Sequence, residues 1–119
     1  MKVLVADDSG VMRKVIVRSL HAIGVDECFE ACDGQEALNL FQRYDFDLLI
    51  TDWNMPEKSG LELVTEVRAT GSTVPILMVT TESQKKQVVT AIQAGVTDYL
   101  TKPFENDLLL SKLEKYVDM

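Results

Sequence analysis

Short apolar runs alternate with stretches of helical period along the chain, and this alternation constrains the fold more than any other feature. The runs Val3-Leu4-Val5-Ala6, Leu48-Leu49-Ile50 and Val74 to Val79 are brief, partly β-branched and unbroken by polar residues. That pattern belongs to parallel strands covered on both faces. Between them, Met12, Val15, Ile16, Leu20 and Ile23 recur at three- and four-residue steps, as do Ala37, Leu40 and Phe41. Leu61, Val64 and Val67 follow, then Val88, Val89 and Ile92, and finally Leu108, Leu109, Leu113 and Tyr116, each set marking one apolar helix face. More polar strands around Glu27 to Ala31 and Val96 to Thr101 complete the order βαβαβαβαβα. The order predicts an α/β, doubly wound, three-layer sandwich: a five-stranded parallel sheet with helices on both faces.

Start and stop signals agree with this parsing. Asp33-x-x-Glu36 and Ser59-x-x-Glu62 read as capping boxes, and Gly24, Gly71 and Gly95 fall where helices should end. The last helix is expected to begin near Glu105. With 119 residues the chain is expected to be one domain spanning 1–119, and with no linker after Asp118 the expectation is that there is no output domain.

Charge and cysteine content narrow the function classes. The formal net charge is -7 and no Lys/Arg-rich block offers a footprint for a phosphate backbone, which argues against nucleic acid as a partner. Asp7 and Asp8 interrupt the first apolar run long before a signal-peptide core would end, and no run is long enough to insert in a membrane, so the expected location is the cytoplasm. A strand through Cys28 and Cys32 points both side chains the same way. The expectation is two buried or half-buried thiols, neither a disulfide nor a zinc site.

Open parallel sheets bind ligands beyond the carboxyl ends of their strands. Asp7 and Asp8 follow the first strand, Asp52 the third, Thr80 and Thr81 end the fourth, and Lys102 the fifth. Four of five strands thus deliver a polar or charged group to one edge. Three carboxylates in one cleft repel, and without a cation their pKa values are pushed apart. A hard divalent cation resolves the repulsion, and Mg²⁺ suits an all-oxygen donor set. Lys102 is then available for a phosphoryl oxygen, and the Thr80 hydroxyl for another. A flavin mononucleotide site is disfavoured because Asp7-Asp8-Ser9-Gly10 puts negative charge where the phosphate would dock. The chain has no GxGxxG, Walker A, HExxH or GxSxG motif.

Four segments carry a family resemblance: Val5-Ala6-Asp7-Asp8-Ser9, Thr51-Asp52-Trp53-Asn54-Met55-Pro56, Leu77-Met78-Val79-Thr80, and Ala94 through Lys102-Pro103-Phe104. The chain resembles the receiver domain of bacterial two-component response regulators, and Asp52 to Pro56 followed by Gly60 leans toward the single-domain chemotaxis branch. The resemblance implies a flavodoxin-like strand order, 2-1-3-4-5. It also implies that Asp52 accepts a phosphoryl group from a sensor histidine kinase, with enzyme-like self-phosphorylation from small phosphodonors and self-dephosphorylation.

By the same resemblance Asp8, Asp52 and the Asn54 backbone carbonyl would ligate Mg²⁺, with Asp7 acting through water and Mn²⁺ as a substitute. Thr80 and Lys102 would contact the phosphoryl group, and the Lys102-Pro103 bond would be cis. Thr80 and Tyr99 would form the switch, with Lys85, Val88, Val89, Tyr99 and Lys112 on the partner surface. The implied partner is a flagellar motor switch protein or another downstream protein, with a phosphatase as a further partner. The alternative is a single-domain phosphorelay or protein-binding regulator outside chemotaxis. Thr81 stands where related chemotaxis regulators often carry alanine, and is expected to narrow access to the acyl phosphate. Glu57 and Lys58, near the cleft's rim, could adjust hydrolysis but are expected to be solvated, and Met12 is read equally as a core side chain or as a support behind the active-site residues.

Overall fold

The computed structural model describes residues 1–117. Asp118, on which the expectation of an absent linker bears, lies outside them. The element order is β1 (Lys2–Ala6), α1 (Gly10–Ala22), β2 (Glu27–Ala31), α2 (Gly34–Arg43), β3 (Leu48–Thr51), α3 (Gly60–Ala69), β4 (Ile76–Thr80), α4 (Lys85–Ala94), β5 (Asp98–Thr101) and α5 (Asn106–Tyr116). All strand pairs are parallel, and the sheet order is β2-β1-β3-β4-β5. The chain therefore has the five-stranded flavodoxin-like order that the resemblance implied, with strand order reversing between β1 and β3.

Strand alternation splits the core into two layers. Leu4, Leu49, Ile76 and Met78 point to one face, where they pack with Ala37, Leu63, Val64, Val67 and Ala91. Val3, Val5, Leu48, Ile50, Leu77 and Val79 point to the other, against Ile16, Leu20, Leu109 and Leu113. So α2, α3 and α4 cover one face, and α1 and α5 the other. Met12 is half-buried against this second layer, which favours the core side chain of its two readings. No helix among the described residues is long and apolar enough to cross a membrane.

The helix ends follow the sequence signals, with one adjustment. Ser59 and Glu62 form a reciprocal capping box. Asp33 caps Glu36 N–H, but the Glu36 carboxylate accepts from Cys32 N–H rather than from Asp33. Gly24, Gly71 and Gly95 all take positive φ. At Gly95 the reason is double: φ is 117°, and a Cβ would stand 2.7 Å from Arg68 Cγ. The Arg68 guanidinium lies there because Nε and Nη2 both donate to the Gly95 carbonyl.

Some boundaries shift from the sequence expectation. Pro75 has no N–H to give the ladder, and β4 begins at Ile76. Thr97 turns its hydroxyl onto Ile76 N–H, so β5 begins at Asp98 instead of Val96. Both cysteines are free thiols. The expectation that they share a strand and a degree of burial is corrected: β2 ends at Ala31, and Cys32 is exposed in the turn into α2. Lys58 is not a solvated side chain as expected, because its ammonium lies against Glu66 on α3.

Candidate functional site

The parallel ladders run one residue past the strand ends, and this is what delivers the polar groups. Asp7 N–H donates to Ala31 carbonyl, Asp52 N–H to Ala6 carbonyl and Lys102 N–H to Thr80 carbonyl. Each side chain therefore leaves a backbone fixed by its neighbour strand. Ser9 then caps α1, so the chain between Asp7 and Ser9 has little freedom. The Lys102-Pro103 peptide is cis.

Oxygens of Asp7, Asp8 and Asp52 lie within 4.8 Å of one another. Asp7 is almost fully buried, Asp52 nearly so, and Asp8 is exposed. The Lys102 ammonium bridges the two buried acids, donating to Asp7 Oδ2 at 2.8 Å and Asp52 Oδ2 at 2.9 Å. The other oxygens are also engaged: Asp7 Oδ1 accepts from Ser9 N–H and Asp52 Oδ1 from Trp53 N–H.

One ammonium shared between two acids explains the electrostatics. Burial pushes the Asp7 carboxyl above the ordinary aspartate value, and its share of Lys102 and the Ser9 N–H does not fully offset this. Burial pulls Lys102 down, but two carboxylates hydrogen-bonded to it outweigh that, so its ammonium is held more tightly than usual. Three carboxylates against one ammonium leave two negative charges uncompensated, the charge of one divalent cation.

The donor set fits such a cation. It is all oxygen, and Mg²⁺ takes oxygens at about 2.0–2.1 Å in octahedral geometry, which puts opposite ligands about 4 Å apart. The three carboxylates already stand near that separation. Beside them Asp8, Asn54, Met55, Pro56 and Ser59 line a cleft open to solvent, which leaves room for water ligands. The site residues read from sequence as metal-binding thus gather at one place.

The remaining predicted residues divide. Thr80 is buried at the end of β4, and its hydroxyl accepts from Glu82 N–H at 3.3 Å, an arrangement facing the following loop. Thr81 is exposed. Tyr99 is half-buried against the α2–α4 layer and donates its hydroxyl to Glu82 carbonyl at 2.6 Å. Burial, with the Glu82 and Asp52 charges, pushes this phenol up to about 12. Lys85 is exposed at the start of α4, Val88 is half-buried and Val89 exposed. Lys112, on α5, is half-buried. Asp98 and Tyr99 point to opposite faces of β5, and Lys112 Nζ sits 2.8 Å from Asp98 Oδ1.

Two residues at the site were not singled out from sequence. Glu82 accepts from Asn54 Nδ2 at 2.8 Å and from Gln87 Nε2 on α4, while its backbone serves Thr80 and Tyr99. Arg13, on α1, donates to Asp7 carbonyl. Neither role has a local signal, because each depends on how the fold turns the chain at the strand ends, which no periodic pattern records.

Comparison with known proteins agrees with this geometry. Residues 3–114 match the family described as the response regulator receiver domain. A chemotaxis protein CheY homolog of Campylobacter jejuni is 50% identical, covering 96% of this chain and 90% of its own. Chemotaxis protein CheY1 of Helicobacter pylori is 48% identical, covering 96% and 94%. Among solved structures, chemotaxis protein CheY4 of Vibrio cholerae superposes with a TM-score of 0.88 at 38% identity, covering 98% of both chains. The receiver domain of Francisella response regulator 1452 gives 0.90 at 30% identity, over 97% and 94%. A family match over residues 3–114, together with relatives about half identical over nearly their whole length, places this protein in the response regulator receiver family.

Proposed function

We propose that the protein is a phosphorylation-activated response regulator of the chemotaxis type, with a receiver domain acting in the cytoplasm. The observation that carries this is the cluster of Asp7, Asp8 and Asp52 with Lys102 bridging the two buried acids. Asp52 is the phosphoacceptor. Its carboxylate attacks the phosphorus of a phosphohistidine on a sensor kinase, the P–N bond breaks, and the imidazole leaves with the electron pair.

Phosphoryl transfer demands positive charge over the equatorial oxygens and a fixed nucleophile. Lys102 moves from its carboxylate partners to a phosphoryl oxygen, and Trp53 N–H holds Asp52 Oδ1 in place. Asp7, Asp8, Asp52 and the Asn54 carbonyl are the residues that would hold Mg²⁺, or Mn²⁺ in its place. That cation supplies charge neutralisation for the transferring group. The Thr80 hydroxyl, now accepting from Glu82 N–H, turns to donate to a phosphoryl oxygen. This frees the loop whose Glu82 carbonyl holds Tyr99.

The surface of α4, β5 and α5, with Lys85, Val88, Val89, Tyr99 and Lys112, then binds the downstream protein, the flagellar motor switch, and a phosphatase returns the chain to rest. Intact mass after incubation with acetyl phosphate tests the chemistry. One phosphoryl group is expected to be added, requiring both Mg²⁺ and Asp52. Its absence from native protein, or its presence in Asp52→Ala, overturns the assignment.

A further inference from the structure

Of the three clustered carboxylates, two are held by hydrogen bonds and one is not. Asp7 is bound through Ser9 N–H and Lys102, and Asp52 through Trp53 N–H and Lys102. Among the described residues no donor is assigned to the Asp8 carboxylate, which is exposed. Its position therefore depends on its backbone. The peptide linking Asp7 to Asp8 is planar, so whatever fixes the Asp7 carbonyl also fixes the direction in which Asp8 leaves.

That carbonyl is fixed by Arg13. Its Nη1 donates to Asp7 carbonyl at 2.6 Å, while its Nε donates to Glu30 Oε1 on β2 at 3.0 Å. The guanidinium lies against the first turn of α1, where a Cβ on Gly10 would stand 3.6 Å from Nη2. The side chain is about 20% exposed, so the fork is largely sheltered and both arms are used. A lysine carries all three of its N–H donors on one nitrogen and cannot reproduce donors set apart on a planar fork.

We infer that Arg13 is a positioning residue for the divalent-cation site, holding the Asp7–Asp8 peptide so that Asp8 points at the cation. This rests on the cation reading of the carboxylate cluster given above. Two effects of Arg13 oppose each other and can be separated. Its positive charge near the site disfavours a cation, so an effect of charge alone would make Arg13→Gln bind Mg²⁺ more tightly and leave Arg13→Lys unchanged. Positioning predicts the opposite: both variants bind more weakly, because both lose the fork. Groups that orient metal ligands typically matter by 10–100-fold in affinity. With Asp8 exposed, the expected loss is at the lower end, roughly 10-fold.

The test is calorimetric titration of Mg²⁺ into native protein, Arg13→Lys and Arg13→Gln, at a temperature where circular dichroism finds each folded. Metal-free urea midpoints are measured alongside. Weakening in both variants, larger than the metal-free stability change can account for, supports the inference. Native-like binding by Arg13→Lys, or tighter binding by Arg13→Gln, overturns it. Failure of native protein to bind Mg²⁺ would instead overturn the cation reading on which it rests.

Discussion

Gly60 is pressed against the backbone of the proposed phosphoacceptor, and the effect of adding one methyl group there can be worked out. It is the first residue of α3, and its N–H donates to Trp53 carbonyl at 2.7 Å. A Cβ at this position would lie 1.8 Å from the Asp52 carbonyl oxygen and 3.0 Å from Trp53 Cα. Carbon and oxygen approach no closer than about 3.3 Å in favourable contacts, so the two segments must separate by about 1.5 Å. Both are backbone, and neither can swing aside as a long side chain would. Overpacking of this kind costs about 1–3 kcal/mol. A displacement of about 1 Å in a reacting group can lower rate by about 100-fold. Gly60→Ala should therefore lose phosphorylation by acetyl phosphate far beyond its loss of stability. Gly10→Ala is the control: it is also a first helical residue near the cleft, but its Cβ meets only Arg13 Nη2, at 3.6 Å. It should gain about 0.4–1 kcal/mol in urea unfolding, with phosphorylation retained. Native-like labelling of Gly60→Ala would refute the idea that this contact sets the acceptor's position.

Four further outcomes are expected. Burial raises the Asp98 carboxyl, but Lys112, Tyr99 N–H and Tyr116 outweigh it and hold it below 3.8. A depressed acid supplies stability above its unfolded pKa and loses it as pH falls through the folded one. Asp98→Asn should thus destabilise by about 1–2 kcal/mol at neutral pH, with urea midpoints converging only well below pH 3.8. Tyr99 is pushed up to about 12, so its contribution is fully present below the ordinary value of 10.0 and is lost as pH rises from there through about 12. Tyr99→Phe should remove a phenolate absorbance that develops near pH 12 and about 1 kcal/mol of stability. Thr81→Ala should shorten the acyl-phosphate lifetime by opening the cleft, and an unchanged dephosphorylation rate would count against Thr81 as a shield. Trp53, whose N–H bonds Asp52 Oδ1 at 2.6 Å, is the only tryptophan, and its fluorescence should change on Mg²⁺ titration; a flat response would argue against a nearby cation.

The parts of this molecule legible in the sequence are those fixed by local pattern and by the geometry of parallel strands. Unbroken apolar runs located β1, β3 and β4, and because ligands gather at strand ends, Asp7, Asp52 and Lys102 could be assigned to one edge before any contact was known. Cys32 was misread because periodicity carries no information on where a strand stops; the Glu36 carboxylate draws Cys32 N–H into the helix cap instead. Lys112 has a partner that the sequence does not announce, for a related reason. Its side chain had an acceptor in Asp98, fourteen residues earlier, and no pattern on α5 reveals that. Glu82 was overlooked because an acidic residue in a loop looks like solvated surface, and only folding puts Asn54, Gln87 and Tyr99 around it.

Glu82 also bears on which element can respond to events at Asp52. Burial anchors the helices unequally: α3 buries Gly60, Leu63, Val64 and Val67, whereas α4 buries only Ala91. A helix with so little buried surface depends on polar ties at its ends. At its amino end α4 relies on the Gln87 amide, which accepts from Gln84 N–H and donates to the Glu82 carboxylate. That same carboxylate holds Asn54, two residues from the proposed phosphoacceptor. The least anchored helix is therefore tied, through one loop residue, to the segment where a phosphoryl group and a cation would bind. Rearrangement of the Asn54 loop would break or reshape the Glu82 contacts, and α4 has little other burial to keep it where it is. A large apolar interface under α4 would make the same coupling ineffective, since breaking two hydrogen bonds could not move a helix held by several buried side chains.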